Sequence, residues 1–374
     1  MSQLHVASTL SGALEKLLRT ENKIMNKDAT LTGVRNILFN CAQLTEGDRI
    51  LIISEDPSLG WYDKHTPELV TAEAKSQKIS VTNLEVGEPD NSEKKEIENE
   101  VNKYDCTIFF ARLGDQDRFD DKKFRKKRVM SYIRSVESLN STFGTTPYEA
   151  TVELKNTINE IFKNGKYVEI TCPLGSKLSG NISIDSEEEK EDVSVLRFPM
   201  VVPKPVKADS LSGTILIDKC LTPTGSKVYH PAFVLINDPI KIEIKNGRII
   251  EVSGNSLDVK KFKSHYKKVA NQFGIDENCV HSFHAGIHPG IEYNKPMKEN
   301  PDRWSNTLFA SPKFLHFHTC GNYAPGEICW MVSDHTIKID SIPLWENGQL
   351  IPKNFQTTKA CVGKWEALQK LFKF

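Results

Sequence analysis

The chain reads as two folds in succession: an α/β half built on a parallel sheet, residues 1–165, then a mostly antiparallel β (α+β) half, residues 166–374. Three observations lead there. The first half alternates helix-period segments with short continuous apolar runs, as strands buried on both faces require. In the second half alternating strands meet at two Asn-Gly pairs, which suit a type I′ hairpin turn because both central residues need positive φ. A length of 374 residues is also more than one core supports, so two domains of ordinary size are expected.

Residues 34–43 place apolar side chains at helical spacing until the Thr45 to Asp48 stretch breaks the pattern. Strands follow at 49–54, 79–85 and 105–111, separated by helical segments at 67–77 and 92–104. In such doubly wound sheets ligands bind beyond the carboxyl ends of the strands, here the loops 55–63 and 112–117. No Gly-x-Gly-x-x-Gly or phosphate-loop signature follows the first strand, so a nucleotide cofactor has little support. The basic run 122–128 reads as a solvated helix face rather than a phosphate grip, because Asp120 and Asp121 precede it.

Past a helix at 156–164, strands are expected at 167–172, within 173–183, at 213–218 and at 232–237. Asn246-Gly247 sits inside the hairpin 240–252, and Asn347-Gly348 joins 342–346 to 349–351. A helix occupies 258–271. The acidic run 185–192 repels itself and is expected to be a surface loop.

Lys plus Arg and Asp plus Glu are 49 each, so no global field attracts nucleic acid or an anionic membrane. No run approaches the roughly 20 apolar residues of a membrane span, and the start lacks the pattern of a secretory signal. A cytoplasmic protein is the expectation. Eight cysteines are spread without a Cys-x-x-Cys pair, which argues against a disulfide scaffold or zinc ribbon. Cys320 stands apart, two residues after His318 in the histidine-rich region.

The chemical signal is histidine. Six of the ten lie between His281 and His335, three of them in the run from His281 through His284 to His288. Neutral imidazole is the commonest protein ligand for zinc, iron and copper. His284 and His335 are the first candidates. A third ligand is open among His288, His281, His316 and His318; alternation along 314–319 places His316 and His318 on one strand face. Asp334 and His335 point to opposite faces of an extended segment, so both bind one ion only if a bulge rotates one of them. A site rich in His favours zinc, copper or iron over magnesium or calcium, whose hard ions want oxygen ligands. With zinc, Glu327, Asp334 or a further His would act as general base toward bound water.

Several segments, in order, resemble the aminopeptidase T family: Ile170-Thr-Cys-Pro-Leu-Gly-Ser-Lys-Leu178, Gly213-Thr-Ile-Leu-Ile-Asp218, the stretch Asp238 to Gly254, and the Gly286-Ile287 turn. The likeness spans roughly residues 150 to 355. It implies an aminopeptidase T-like fold and, since such proteins are often dimers, a homodimer. The family carries a Glu two residues before the Gly-Ile turn and a later His-x-Asp, for a two-metal hydrolytic centre. Here His284 takes the first position, which is similar to the dihydroxypyridine ring-opening dioxygenases on the same fold, with one Fe(II) on two His and one Asp. In the later segment Ser333 stands where the His would be and His335 where the Asp would be, so this chain departs from both patterns. Three functions follow as expectations. The first is a single-metal, dioxygenase-like oxidoreductase acting on a small aromatic or amino-acid-derived substrate. The second is a metallo-aminopeptidase acting on short peptides, and the third a metal-less binding protein on the same fold.

Overall fold

The computed structural model describes residues 27–89, 94–115, 126–183, 195–223, 229–321 and 327–374. The acidic run 185–192 and residues 122–125 lie outside them. The chain divides into two compact units, Met1–Ala150 with Glu191–Met200, and Thr151–Lys190 with Val201–Phe374.

In the first unit, helix α1 (Lys27–Arg35) continues as a π-helical turn, Asn36–Cys41. Strand β1 (Arg49–Glu55), helix α2 (His65–Ser76), β2 (Ser80–Val86), α3 (Lys94–Val101), β3 (Cys106–Phe110) and β4 (Lys127–Ser131) follow. Ile50, Leu51, Ile52 and Ile53 are all buried, as a central strand covered on both faces demands. All strands run parallel in the order β2-β1-β3-β4-β7, the last being Leu196–Phe198. That returning strand makes the first unit discontinuous. The boundary therefore falls at 150/151, earlier than the 165 read from sequence, inside helix α4 (Tyr148–Asn164).

The basic run also needs correction where it is described. Lys127 and Arg128 open strand β4 instead of lying on a helix, and Arg128 is buried with its guanidinium 2.6 Å from Glu98. The apolar residues after it, Val129 and Met130, draw the segment into the sheet. At the carboxyl ends of β1 and β3, Glu55 and Arg112 form a buried ion pair at 2.7 Å, and Arg112 lies over the Trp61 ring at 4.5 Å. Arg134 covers Tyr62 at 4.3 Å, and the Tyr132 hydroxyl donates to Asp115. Paired charges and aromatic rings thus pack the place where such sheets commonly take ligands.

The second unit holds two antiparallel sheets. One has the order β13-β12-β9-β6-β5-β17-β18-β19. Its strands are β5 (Tyr167–Thr171), β6 (Lys177–Asn181), β9 (Ser212–Ile217), β12 (Ile240–Lys245), β13 (Arg248–Ser253), β17 (Thr336–Ile339), β18 (Ile342–Glu346) and β19 (Gln349–Leu350). Both Asn-Gly pairs turn as their residues require: φ is +50° and +67° at Asn246 and Gly247, +50° and +75° at Asn347 and Gly348.

The other sheet has the order β11-β10-β16-β15-β14-β8. It comprises β8 (Val206–Lys207), β10 (Cys220–Pro223), β11 (Val234–Leu235), β14 (Val280–Ala285), β15 (Phe314–Thr319) and β16 (Ile328–Ser333). Alternation divides its central strands into two unlike faces. On one, Phe283, Phe317 and Trp330 follow one another at 5.9 Å between ring centres. Phe162 of α4 and Phe262 of helix α5 (Ser256–Phe273) pack against that row. The opposite face carries His284, His316 and His318. Among the described residues no helix is long and apolar enough to cross a membrane.

Candidate metal centre

Strand register assembles the histidines. His284 on β14 is the direct cross-strand partner of His316 on β15, while His318 is opposite Ser282 on one side and Cys329 on the other. Because side chains two apart share a face, all three imidazoles emerge together. Ring centres are 5.6 Å apart for His284 and His316 and 5.0 Å for His284 and His318. Two imidazoles on one ion, each bonded at ~2.1 Å, would place their ring centres roughly 4.6–5.3 Å apart at right to tetrahedral angles. The observed spacing is close to that.

Trp304 of helix α6 (Pro301–Leu308) packs 5.2 Å from the ring of Phe314, which shares the strand face of His316 and His318. A Cβ at Gly286 would sit 2.3 Å from the Ala310 carbonyl carbon, so only glycine lets the two backbones meet. The amides of Ile287 and His288 then both donate to the Ala310 carbonyl oxygen. This contact sets Phe309, just beyond α6, with its ring centre 5.1 Å from that of His284 and 4.1 Å from that of His316. Phe309 is itself partly exposed.

Neither ring nitrogen of His316 or of His335 has a well-formed hydrogen bond among the described residues. Backbone groups lie nearby, from Phe309 at His316 and from Lys313 and Val332 at His335. Burial pushes both rings down to a pKa of about 3, helped at His316 by the charge of His318, so each ring is neutral at pH 7 and keeps one nitrogen lone pair. Orphaned buried nitrogens are costly unless something binds them.

His318 differs. Its Nδ1 lies 3.1 Å from Glu327 Oε2 and 3.5 Å from Cys329 Sγ. Burial opposes charge on this ring, but the sulfur and the carboxylate outweigh it and hold the pKa well above the usual value. Glu327 is buried, and its other oxygen is 3.8 Å from His281 Nδ1. The strand register slips between Val280 and Ser282, a bulge at the position from which His281 reaches Glu327.

His288, His335 and Asp334 are the remaining sequence candidates. His288 is buried in its own turn, accepting at Nδ1 from the Gly290 amide, and burial lowers its pKa to about 4. His335 packs 6.3 Å from the Trp345 ring and is close enough to His316 to affect its charge. Asp334, at φ +51°, sends a half-exposed carboxylate toward Lys313, 3.8 Å away, and does not join the histidine face. Two residues on the site had no signal of their own in the sequence. Cys329 is found only through its register with His318, and Phe309 only through the Gly286 contact.

The donor types suit a transition metal: several imidazoles, a carboxylate and a thiol. Among the described residues no three His, Cys, Asp or Glu side chains already form a metal-binding group. The planes of His284 and His318 are 26° apart, stacked, so ring rotation is what would aim their nitrogens at one point.

No protein-family model and no curated protein matches this chain. Solved structures do. The chain is similar to 2,5-dihydroxypyridine dioxygenase from Pseudomonas putida KT2440, at 13% identity and a TM-score of 0.60, over 89% of this chain and 99% of that one. It is also similar to AmpT from Thermus thermophilus, at 9% identity and a TM-score of 0.51, over 87% of this chain and 100% of that one. At these identities the likeness establishes a shared fold.

Proposed function

We propose that the protein is a single-metal enzyme, with Fe(II) held on the histidine face of the six-stranded sheet, that oxidises a small aromatic or amino-acid-derived substrate. One observation carries this reading: three buried imidazoles, from His284, His316 and His318, face one another at near-coordination spacing. The shared fold with a dioxygenase supports it. Bound iron would supply the dioxygen and electron-transfer chemistry that amino-acid side chains lack.

The protein groups have separable tasks. His284 and His316 would hold the ion together with His318, with His335, which influences the charge of His316, in reserve. Phe309 excludes water from the imidazoles and offers a ring face to a planar substrate. Glu327, with His281 beside it, would hold the proton on the Nδ1 edge of His318.

A hydrolytic aminopeptidase is less well supported, because a pair of divalent ions needs bridging carboxylates. Glu327 is engaged with His318, and Asp334 is on the surface. Oxygen-electrode assays on iron-loaded protein with dihydroxylated aromatics, run beside aminoacyl-anilide hydrolysis assays, test the proposal. Substrate-dependent oxygen uptake is expected. Anilide hydrolysis without oxygen uptake would overturn it.

A further inference from the structure

We infer that Glu327 is a positioning residue for His318: its carboxylate holds the Nδ1 edge of that ring, so that Nε2 is the nitrogen given to the metal. The inference rests on the proposed metal centre and adds a second layer to it. An imidazole has two nitrogens, and the partner of one decides which is left for a ligand. Here Nδ1 faces Glu327 Oε2 at 3.1 Å and Cys329 Sγ at 3.5 Å, while the ring centre is 5.0 Å from that of His284. Glu327 is 5% exposed, so its carboxylate is fixed in place and works at low dielectric.

The arrangement is cross-braced. Cys329 is the register partner of His318 on β16, and Glu327 immediately precedes that strand. His281 approaches the second oxygen of Glu327 at 3.8 Å, which limits rotation of the carboxylate. Glu327 thus acts through His318, and a role as general base toward substrate does not follow from its geometry. Carboxylates placed behind a ligating imidazole typically contribute 10- to 100-fold in metal affinity.

Zn(II), which is diamagnetic, serves as the probe in two measurements on the full chain. In calorimetric titration, Glu327→Ala should weaken zinc binding about 10- to 100-fold. Glu327→Gln, whose amide oxygen still accepts from Nδ1, should stay within a few-fold of wild type and guards against a folding artefact. In long-range proton–nitrogen spectra of the zinc-loaded wild type, His318 should keep its Nδ1 proton and show metal at Nε2. Unchanged zinc affinity in Glu327→Ala, or zinc on Nδ1, overturns the inference while leaving the metal centre standing. Absence of zinc binding by the wild type removes both.

Discussion

His284 and His316 are direct cross-strand partners, and their rings are 5.6 Å apart on the buried face of a six-stranded antiparallel sheet, beneath Phe309. Phe309 is the partly exposed member of this group. Truncating it should open a path to the imidazoles. Phe309→Ala is expected to raise the rate at which diethylpyrocarbonate modifies His284 and His316 several-fold, read by peptide mass spectrometry, with His288 as an internal control. Equal rates in both proteins would mean that something else shields the site.

The opposite face of the same sheet is its support. Phe317 is fully buried between Phe283 and Trp330. Phe317→Ala should cost about 3–5 kcal/mol in unfolding free energy, the usual toll of removing a buried aromatic ring. Denaturant titration measures this, and a loss under about 1 kcal/mol would contradict the packing described.

In the first unit the buried Glu55–Arg112 pair should respond unequally to single and double replacement. Arg112→Met alone leaves a carboxylate uncompensated at 1% exposure and should destabilise by about 3–5 kcal/mol. Adding Glu55→Gln should recover much of that loss. A double-mutant cycle by chemical denaturation checks the coupling, and additive losses would refute it.

How much of this was legible beforehand differs by element. Ile50 to Ile53 and the two Asn-Gly turns could be read directly, because a doubly buried strand and a positive-φ turn each have a strict local chemistry. Lys127 and Arg128 could not, since a strand that opens with two cations looks solvated until Glu98 is seen to neutralise one of them. At the site, the shared face of His316 and His318 followed from alternation. Their pairing with His284 depends on strand register, which sequence specifies only through long-range packing. The same is true of Cys329 opposite His318. His288 shows the converse limit: closeness in sequence to His284 says nothing of a local hydrogen bond to Gly290.

Acid should destabilise the protein through a histidine that is not among the proposed metal ligands. His265 on α5 is buried against Tyr229, and burial, with Lys268 nearby, depresses its pKa to about 4. The unfolded chain takes up a proton on this ring near pH 6.5 and the folded chain only near 4. Its contribution is therefore complete above pH 6.5 and is lost as pH falls toward 4. Urea midpoints for His265→Phe should decline less steeply than wild type across that window. Parallel curves would show that His265 is not the group responsible.

The central claim is that imidazoles from β14 and β15 share one cation. Metal analysis of protein purified without chelator, beside His284→Ala and His316→Ala, tests it most directly. The account predicts near one iron per chain in the wild type and a drop to a small fraction in both variants. Wild-type protein without metal, or variants that keep a full equivalent, would contradict it.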